Sequence, residues 1–300
     1  MSPQNASSTA VATQQIHVRG VDYALTDTQT PGPPVLLLHG WPDNRTIWRH
    51  QLEYLSSLGF RAIAVDWIGH GDSSIPTDVG RYHVNELGAD TIALLDALQI
   101  DQVHLIAHDY GATVSWETVA HYPQRFLSYC ALSVGHSVEI LRDIATGHLI
   151  RYLWLILHGL DRASRYWYLS HNAKRFRHKF ASHPDAEAVL ARLTGNDDTT
   201  FWSIWERANP SYDVFYRQFL AGQRQKHLTV PTMGLYSSDD EWMTEGQLSR
   251  CYKYVDAVWR YESIRGYGDE SIASRDGFAL DNISVTGTSI VDGTSNDDNL

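Results

Sequence analysis

The feature of this sequence that most constrains its fold is a series of short apolar runs, each bounded by turn residues. A run that is apolar at nearly every position fits a strand buried on both faces of a mainly parallel sheet. Stretches of helical length and amphipathic pattern lie between most of the runs. This alternation predicts βαβ units and an α/β fold with a mainly parallel, doubly wound sheet. The runs are residues 35–38, 61–65, 103–106, 128–133, 232–236 and 257–261.

The alternation is interrupted between about residue 137 and residue 226, where the pattern is helical and no strand is indicated. Because the sheet pattern resumes at Val230, we predict a helical cap inserted after the sixth strand, counting a hairpin over residues 16–26 as the first two. The predicted divisions are a disordered N-terminus over residues 1–15, an α/β core over residues 16–136 and 227–268, the cap over residues 137–226, and an atypical acidic tail over residues 269–300.

Composition excludes several classes of function. Lys and Arg number 24 against 35 Asp and Glu, a net charge of -11, which argues against a face that binds nucleic acid. No run is apolar enough to span a bilayer, and the first fifteen residues lack the pattern of a signal peptide. The histidines lack metal-ligand spacing and no phosphate-binding glycine loop is present, so no metal or organic cofactor is expected. We predict a cytoplasmic protein and leave its oligomeric state open.

The segment around Asp109 carries the first chemical signal. Ala107 and Gly111 flank Asp109 in the pattern small, any, nucleophile, any, small, which permits a sharp turn from strand to helix. Such a turn would present Asp109 above the sheet. A carboxylate is ionised at neutral pH and can attack an sp³ carbon that bears a leaving group. The alternative is that the glycine merely ends the strand.

Two further loops follow strands of the predicted sheet. The turn at residues 39–42 can aim the backbone N–H of Trp41 inward, where the N–H of Tyr110 could converge with it as an oxyanion hole. A purely structural bend is the alternative. The segment at residues 66–73 has the glycines and hydroxyl of turn chemistry, and we assign it, with His70, to structure.

These segments together resemble the α/β-hydrolase superfamily and, within it, the epoxide hydrolases. The resemblance runs from about residue 17 to residue 268 and includes His108 before the elbow. It implies that Asp109 opens an epoxide through an alkyl-enzyme ester, which water converts to a vicinal diol. Haloalkane dehalogenases typically carry Asn where Trp41 stands and Trp where Tyr110 stands, and serine esterases carry Ser at position 109.

The resemblance also implies two cap tyrosines whose hydroxyls polarise the epoxide oxygen and protonate the departing alkoxide. The later one corresponds to Tyr216, within an aromatic-Tyr-Arg segment. The earlier one corresponds to Tyr152, with Tyr166 or Tyr168 as substitutes. The cap tryptophans favour an apolar or aromatic small-molecule substrate, although they could equally pack the cap itself. These tryptophans are Trp154, Trp167, Trp202 and Trp205.

An acid that orients a catalytic histidine is the next element that the resemblance implies. In the family it lies four residues after an aromatic at a strand end, which counted from Tyr236 gives Asp240, with Asp239 one position away. The histidine itself is expected directly after Gly268, but this sequence has Asp269 there. All 15 histidines lie at or before His227.

Without that histidine, hydrolysis of the ester lacks its usual base. Asp269, His108 and His136 are the alternative bases, and we expect a slow or single-turnover hydrolase. The change of composition at residue 269 suggests an altered reading frame or a splice product. Two other hypotheses remain: a non-catalytic homologue that binds a ligand or a protein partner in the same cavity, and a haloalkane dehalogenase-like hydrolase.

Overall fold

One sheet of eight strands organises the part of the chain that the structure describes. In this computed structural model the described residues are 12–150, 152–153, 160–181, 183–195, 204–209 and 226–265. The strands are β1 (Ala12–Val18), β2 (Val21–Asp27), β3 (Pro34–Leu38), β4 (Arg61–Val65), β5 (Val103–His108), β6 (Phe126–Leu132), β7 (Thr232–Ser237) and β8 (Trp259–Ile264). Their order is β1-β2-β4-β3-β5-β6-β7-β8. The pairings β1–β2 and β2–β4 are antiparallel and the others are parallel.

Helices connect the strands on both sides of the sheet. In the α/β core they are α1 (Arg49–Ser57), α2 (Val84–Ala97) and α3 (Tyr110–His121). Between β6 and β7 lie α4 (Ser137–Asp143), α5 (Asp161–Lys179), α6 (Ala186–Gly195) and α7 (Ile204–Ala208), and α8 (Glu245–Ser249) follows β7. Helix α5 is interrupted at residues 170–173, where three residues take left-handed backbone angles. We call residues 137–226 the insertion.

Both faces of the central strands are buried. On β3, Leu36 and Leu38 belong to one apolar cluster, while Val35 and Leu37 belong to a second cluster with α1. Successive side chains of a strand point to opposite faces, so a strand covered on both sides must be apolar at every position. This is why the buried parallel strands are readable from the sequence as unalternating runs.

The predicted fold class is confirmed: the chain forms a mainly parallel sheet flanked by helices, with helical segments inserted after the sixth strand. The predicted N-terminal boundary is wrong. Residues 12–15 belong to β1, which pairs with β2 over its whole length, from Ala12 opposite Asp27 to Val18 opposite Val21. An edge strand of this kind is largely solvated, so its small and polar residues do not carry the apolar pattern of a buried strand.

Two further boundaries differ from the sequence predictions. The last strand begins at Trp259 rather than at residue 257, and it extends to Ile264. The predicted acidic tail lies outside the described residues. Among the described helices, none is both long and apolar enough to cross a membrane.

Candidate active site

A strained turn at Asp109 joins β5 to α3. Asp109 has φ 51° and ψ -118°, backbone angles that L-residues rarely adopt and that cluster at functional sites. The turn brings α3 so close to β3 that a Cβ on Gly111 would lie 2.5 Å from the carbonyl oxygen of Leu38. Only glycine fits this position. The sharp strand-to-helix turn expected from the sequence is therefore present, with Asp109 at its apex.

The turn after β3 lies directly against this apex. The backbone N–H of Trp41 donates to Oδ1 of Asp109 at 2.9 Å. A Cβ on Gly40 would lie 2.7 Å from Cγ of Asp109, so the absence of a side chain is what lets the two loops meet. The structure thus places the predicted oxyanion donor of Trp41 on the carboxylate of the predicted nucleophile.

His39 holds the turn in place, a role that the sequence did not indicate. Its Nε2 accepts a hydrogen bond from the backbone N–H of Trp67 at 3.1 Å, so the ring proton is assigned to Nδ1. Nδ1 then donates to the carbonyl oxygen of Gly40 at 2.8 Å. Burial lowers the pKa of His39 to about 4, and the ring is therefore neutral at physiological pH.

The segment at residues 66–73 has the structural role expected of it. The Asp66 carboxylate is buried and accepts from the backbone N–H groups of Arg45, at 2.6 Å, and Asp72, at 2.9 Å. It also accepts from the guanidinium of Arg45. These bonds tie the loop after β4 to the loop after β3.

Helix α7 of the insertion covers Tyr110. The Tyr110 ring stacks on Trp205 with centroids 4.9 Å apart, and its hydroxyl donates to Oε1 of Glu206. Trp205 also meets Trp67 edge to face at 5.8 Å. The sequence singled out Trp205 only as one of several aromatic residues, and nothing in it pointed to Glu206. The oxyanion role of the Tyr110 backbone N–H stays a prediction.

A second part of the insertion covers Trp41. The indole lies 6.2 Å from the ring of Tyr168 and 5.8 Å from that of Phe180, measured between centroids. Tyr168 is buried, whereas Tyr166 is 73% exposed. Of the two tyrosines that the sequence offered as substitutes, Tyr168 therefore lies beside the turn that contacts Asp109.

Tyr152 is buried at another group of polar side chains. Its hydroxyl lies 3.4 Å from Oδ2 of Asp143 and 3.5 Å from Oγ1 of Thr244. Burial raises the pKa of the Tyr152 hydroxyl to about 12, so it keeps its proton at neutral pH. Tyr216 and Asp269 lie outside the described residues, and their places in the site stay predictions.

The two candidate acids after β7 differ in burial. Asp240 is 4% exposed, and its Oδ1 accepts from the backbone N–H groups of Trp242, at 2.7 Å, and Met243, at 2.8 Å. Asp239 is exposed. Only β6 separates β5 from β7, so the carboxyl ends of these strands are about 10 Å apart. Asp109 and Asp240 thus follow the same edge of the sheet.

The two histidines considered as substitute bases are both buried. His108 is the last residue of β5. His136 accepts a hydrogen bond at Nδ1 from the backbone N–H of Val138, and its ring stacks on Tyr254 at 4.1 Å. Burial lowers the pKa of His136 to about 3. Within the described ranges, no three His, Cys, Asp or Glu side chains group as a metal site would require.

The fold and the elbow together define a class of protein. The family model described as the alpha/beta hydrolase fold matches residues 33–254. This chain belongs to that family.

Part of the chain is similar in sequence to epoxide hydrolases, and its fold is similar to that of a solved epoxide hydrolase structure. The chain is 46% identical over 103 residues to epoxide hydrolase 2 of Siraitia grosvenorii, and 42% identical over 119 residues to an epoxide hydrolase of Caballeronia sordidicola. These matches cover 34% and 40% of this chain and 33% and 36% of the relatives, so the match spans about a third of their length. Potato (Solanum tuberosum) epoxide hydrolase I has a similar fold, with a TM-score of 0.74 at 19% identity over 91% of this chain and 98% of that one.

Proposed function

We propose that this chain is a hydrolase of the epoxide-hydrolase type, which opens an epoxide to a vicinal diol through an alkyl ester on Asp109. The observation that carries the proposal is the strained elbow, whose carboxylate already accepts a hydrogen bond from the Trp41 amide. Identities of 42% and 46% to epoxide hydrolases over the matched stretches support the same reaction. The aromatic rings of Trp41, Tyr168 and Phe180 favour an apolar or aromatic epoxide as the substrate. The proposed location of the reaction is the cytoplasm.

In the first step, Oδ2 of Asp109 attacks an epoxide carbon and the bond between this carbon and the ring oxygen breaks. Oδ1 is the oxygen held by the Trp41 amide, so it becomes the carbonyl oxygen of the ester. The departing alkoxide takes a proton from a tyrosine of the insertion. Tyr216 and Tyr152 are the proposed donors, and Tyr168 is the alternative because it lies beside Trp41.

In the second step, water adds to Cγ of Asp109 and a base takes its proton. Negative charge develops on Oδ1, where the N–H groups of Trp41 and Tyr110 would stabilise it. The bond between Cγ and Oδ2 then breaks, and the leaving oxygen takes the proton back from the base as the diol departs. The second proton of the water restores the tyrosine, and Asp109 is again a carboxylate that now contains the oxygen of the water. Asp240 is proposed to orient the base, and its burial favours it over the exposed Asp239. Because Asp269 stands where a histidine is expected, we propose that this step is slow.

Mass spectrometry of the intact protein after incubation with styrene oxide tests the proposal. We expect an adduct on Asp109 that persists, and no adduct on the matched variant Asp109→Asn, whose amide is a poor nucleophile. Rapid diol formation over many turnovers would contradict the proposed slow second step. Absence of any adduct or diol would overturn the proposed reaction.

The absent histidine also favours a second candidate function, a homologue that binds a ligand without chemistry. This candidate predicts that styrene oxide or its diol binds equally well to Asp109→Ala and to the unmodified chain, with no reaction at any pH. Release of chloride from a chloroalkane, measured in the same series, would instead indicate a dehalogenase-like activity.

A further inference from the structure

A buried carboxylate and a buried histidine meet between the α/β core and the insertion. Oδ1 of Asp43 lies 2.9 Å from Nε2 of His183, and their side chains are 4% and 0% exposed. Nδ1 of His183 accepts from the backbone N–H of Asp185 at 3.0 Å, so the ring proton is assigned to Nε2. His183 therefore donates to Asp43, and both of its ring nitrogens are engaged.

The environment keeps Asp43 ionised. Burial by itself would raise the pKa of this carboxyl, but the hydrogen bond from His183 and the electrostatic interaction with the same ring outweigh it and hold the pKa below its usual value. A hydrogen bond to a buried charge is stronger than one between neutral groups, and removal of the donor leaves the charge uncompensated. The pair is thus a firm link between two segments that are far apart in sequence.

The position of Asp43 gives the link a consequence for the site. Asp43 closes the turn after β3, because its backbone N–H donates to the carbonyl oxygen of Gly40 at 3.0 Å. Trp41, inside this turn, donates its N–H to Asp109. One end of a four-residue turn therefore touches the nucleophile while the other end is bonded to the insertion.

Two other contacts join the same segments. The indole of Trp41 packs against Phe180, near the end of α5. Arg49 forms an ion pair of 2.7 Å with Asp185, but both side chains are well exposed, at 40% and 34%, so this pair contributes little. The buried pair provides the strong polar restraint between the turn and the α5–α6 junction.

We propose that Asp43 and His183 are positioning residues, which fix the Trp41 amide against Asp109 by bonding the turn to the insertion. This inference rests on the proposed function. Displacement of the Trp41 amide should slow ester hydrolysis but not ring opening. During ring opening the Asp109 carboxylate loses charge, so the Trp41 amide gives little acceleration. During ester hydrolysis negative charge grows on Oδ1, and a displaced donor stabilises it less.

The variant His183→Phe tests the inference, with His178→Phe, at an exposed position of α5, as the matched control. Quenched-flow mass spectrometry follows formation and decay of the styrene oxide adduct separately. We expect formation to change little and decay to slow by about 10- to 100-fold, as displacement of a catalytic group by about 1 Å would cause. A merely structural role would instead lower both rates together, in proportion to the folded fraction.

Asp43→Leu, which is close to aspartate in size and cannot accept a hydrogen bond, supplies a second variant in case His183→Phe does not fold. Amide hydrogen exchange gives a readout that needs no reaction: both variants should raise exchange in residues 39–44 and 176–186 together, and His178→Phe should not. Unchanged exchange at residues 39–44 in folded Asp43→Leu, or equal slowing of both chemical steps, would overturn the inference. If the unmodified chain forms no adduct, the proposed function fails, while the exchange result still decides whether the pair positions the turn.

Discussion

Replacement of Gly40 by alanine tests how tightly the turn after β3 fits the nucleophile. The added Cβ would lie 2.7 Å from Cγ of Asp109, whereas non-bonded carbons rest about 3.5–4.0 Å apart. The added Cβ would lie closer still to Cβ and Oδ1 of the same side chain, so Asp109 or the turn must retreat by at least about 1 Å. A displacement of this size costs about 100-fold in rate, and crowding of a packed interior costs about 1–3 kcal/mol.

We expect Gly40→Ala to form the styrene oxide adduct about 100-fold more slowly and to melt about 3–10 °C lower. Intact-protein mass spectrometry and a thermal melt measure the two effects. The matched control is Gly195→Ala in α6, where a Cβ would meet no atom within 4 Å. An adduct rate and melting temperature equal to those of the unmodified chain would refute the close approach of Gly40 to Asp109.

Two predictions concern stability. Burial lowers the pKa values of His39, His70 and His136 to about 4, 3 and 3, below the unfolded value, so the unfolded state binds more protons and stability falls as the pH drops. Urea titrations should show that the free energy of unfolding falls by about 1 kcal/mol per histidine when the pH is lowered from 7.5 to 5.5. Equal free energies of unfolding at the two pH values would contradict this prediction. Arg250→Met removes the cation paired with Glu139 and Asp143, whose side chains are 0% and 4% exposed. Because Arg250 itself is 32% exposed, we expect the free energy of unfolding, measured by urea titration, to fall by about 2–4 kcal/mol. The control Arg49→Gln should change it little.

The strands and the elbow were predictable because their signals are local. A strand buried on both faces must be apolar at every position, and a sharp turn at Asp109 needs small neighbours, so both leave a mark in adjacent residues. Of strand β1 only the part from Ile16 onward was predicted, because residues 12–15 lie at a solvated edge that tolerates small and polar residues. The choice between Asp239 and Asp240 also stayed open in the sequence, since adjacent acids differ only in the burial that folding imposes.

The contacts of the insertion were not predictable in the same way. Tyr110 and Glu206 are 96 residues apart in the chain, and Asp43 and His183 are 140 apart. No periodic pattern links positions at such distances. Glu206 and His183 therefore carried no signal, although both contact segments that form the site.

The sequence by itself determined the class of fold, the order of its strands and helices along the chain, and the elbow that presents Asp109. Backbone sterics and the burial of alternate side chains act over a few residues, and the chain records them directly. The tertiary structure decided which insertion residues meet Trp41, Tyr110 and Asp43. The reason is physical: packing of distant helices onto the sheet selects these partners, and their free energies depend on burial that exists only after the chain has folded.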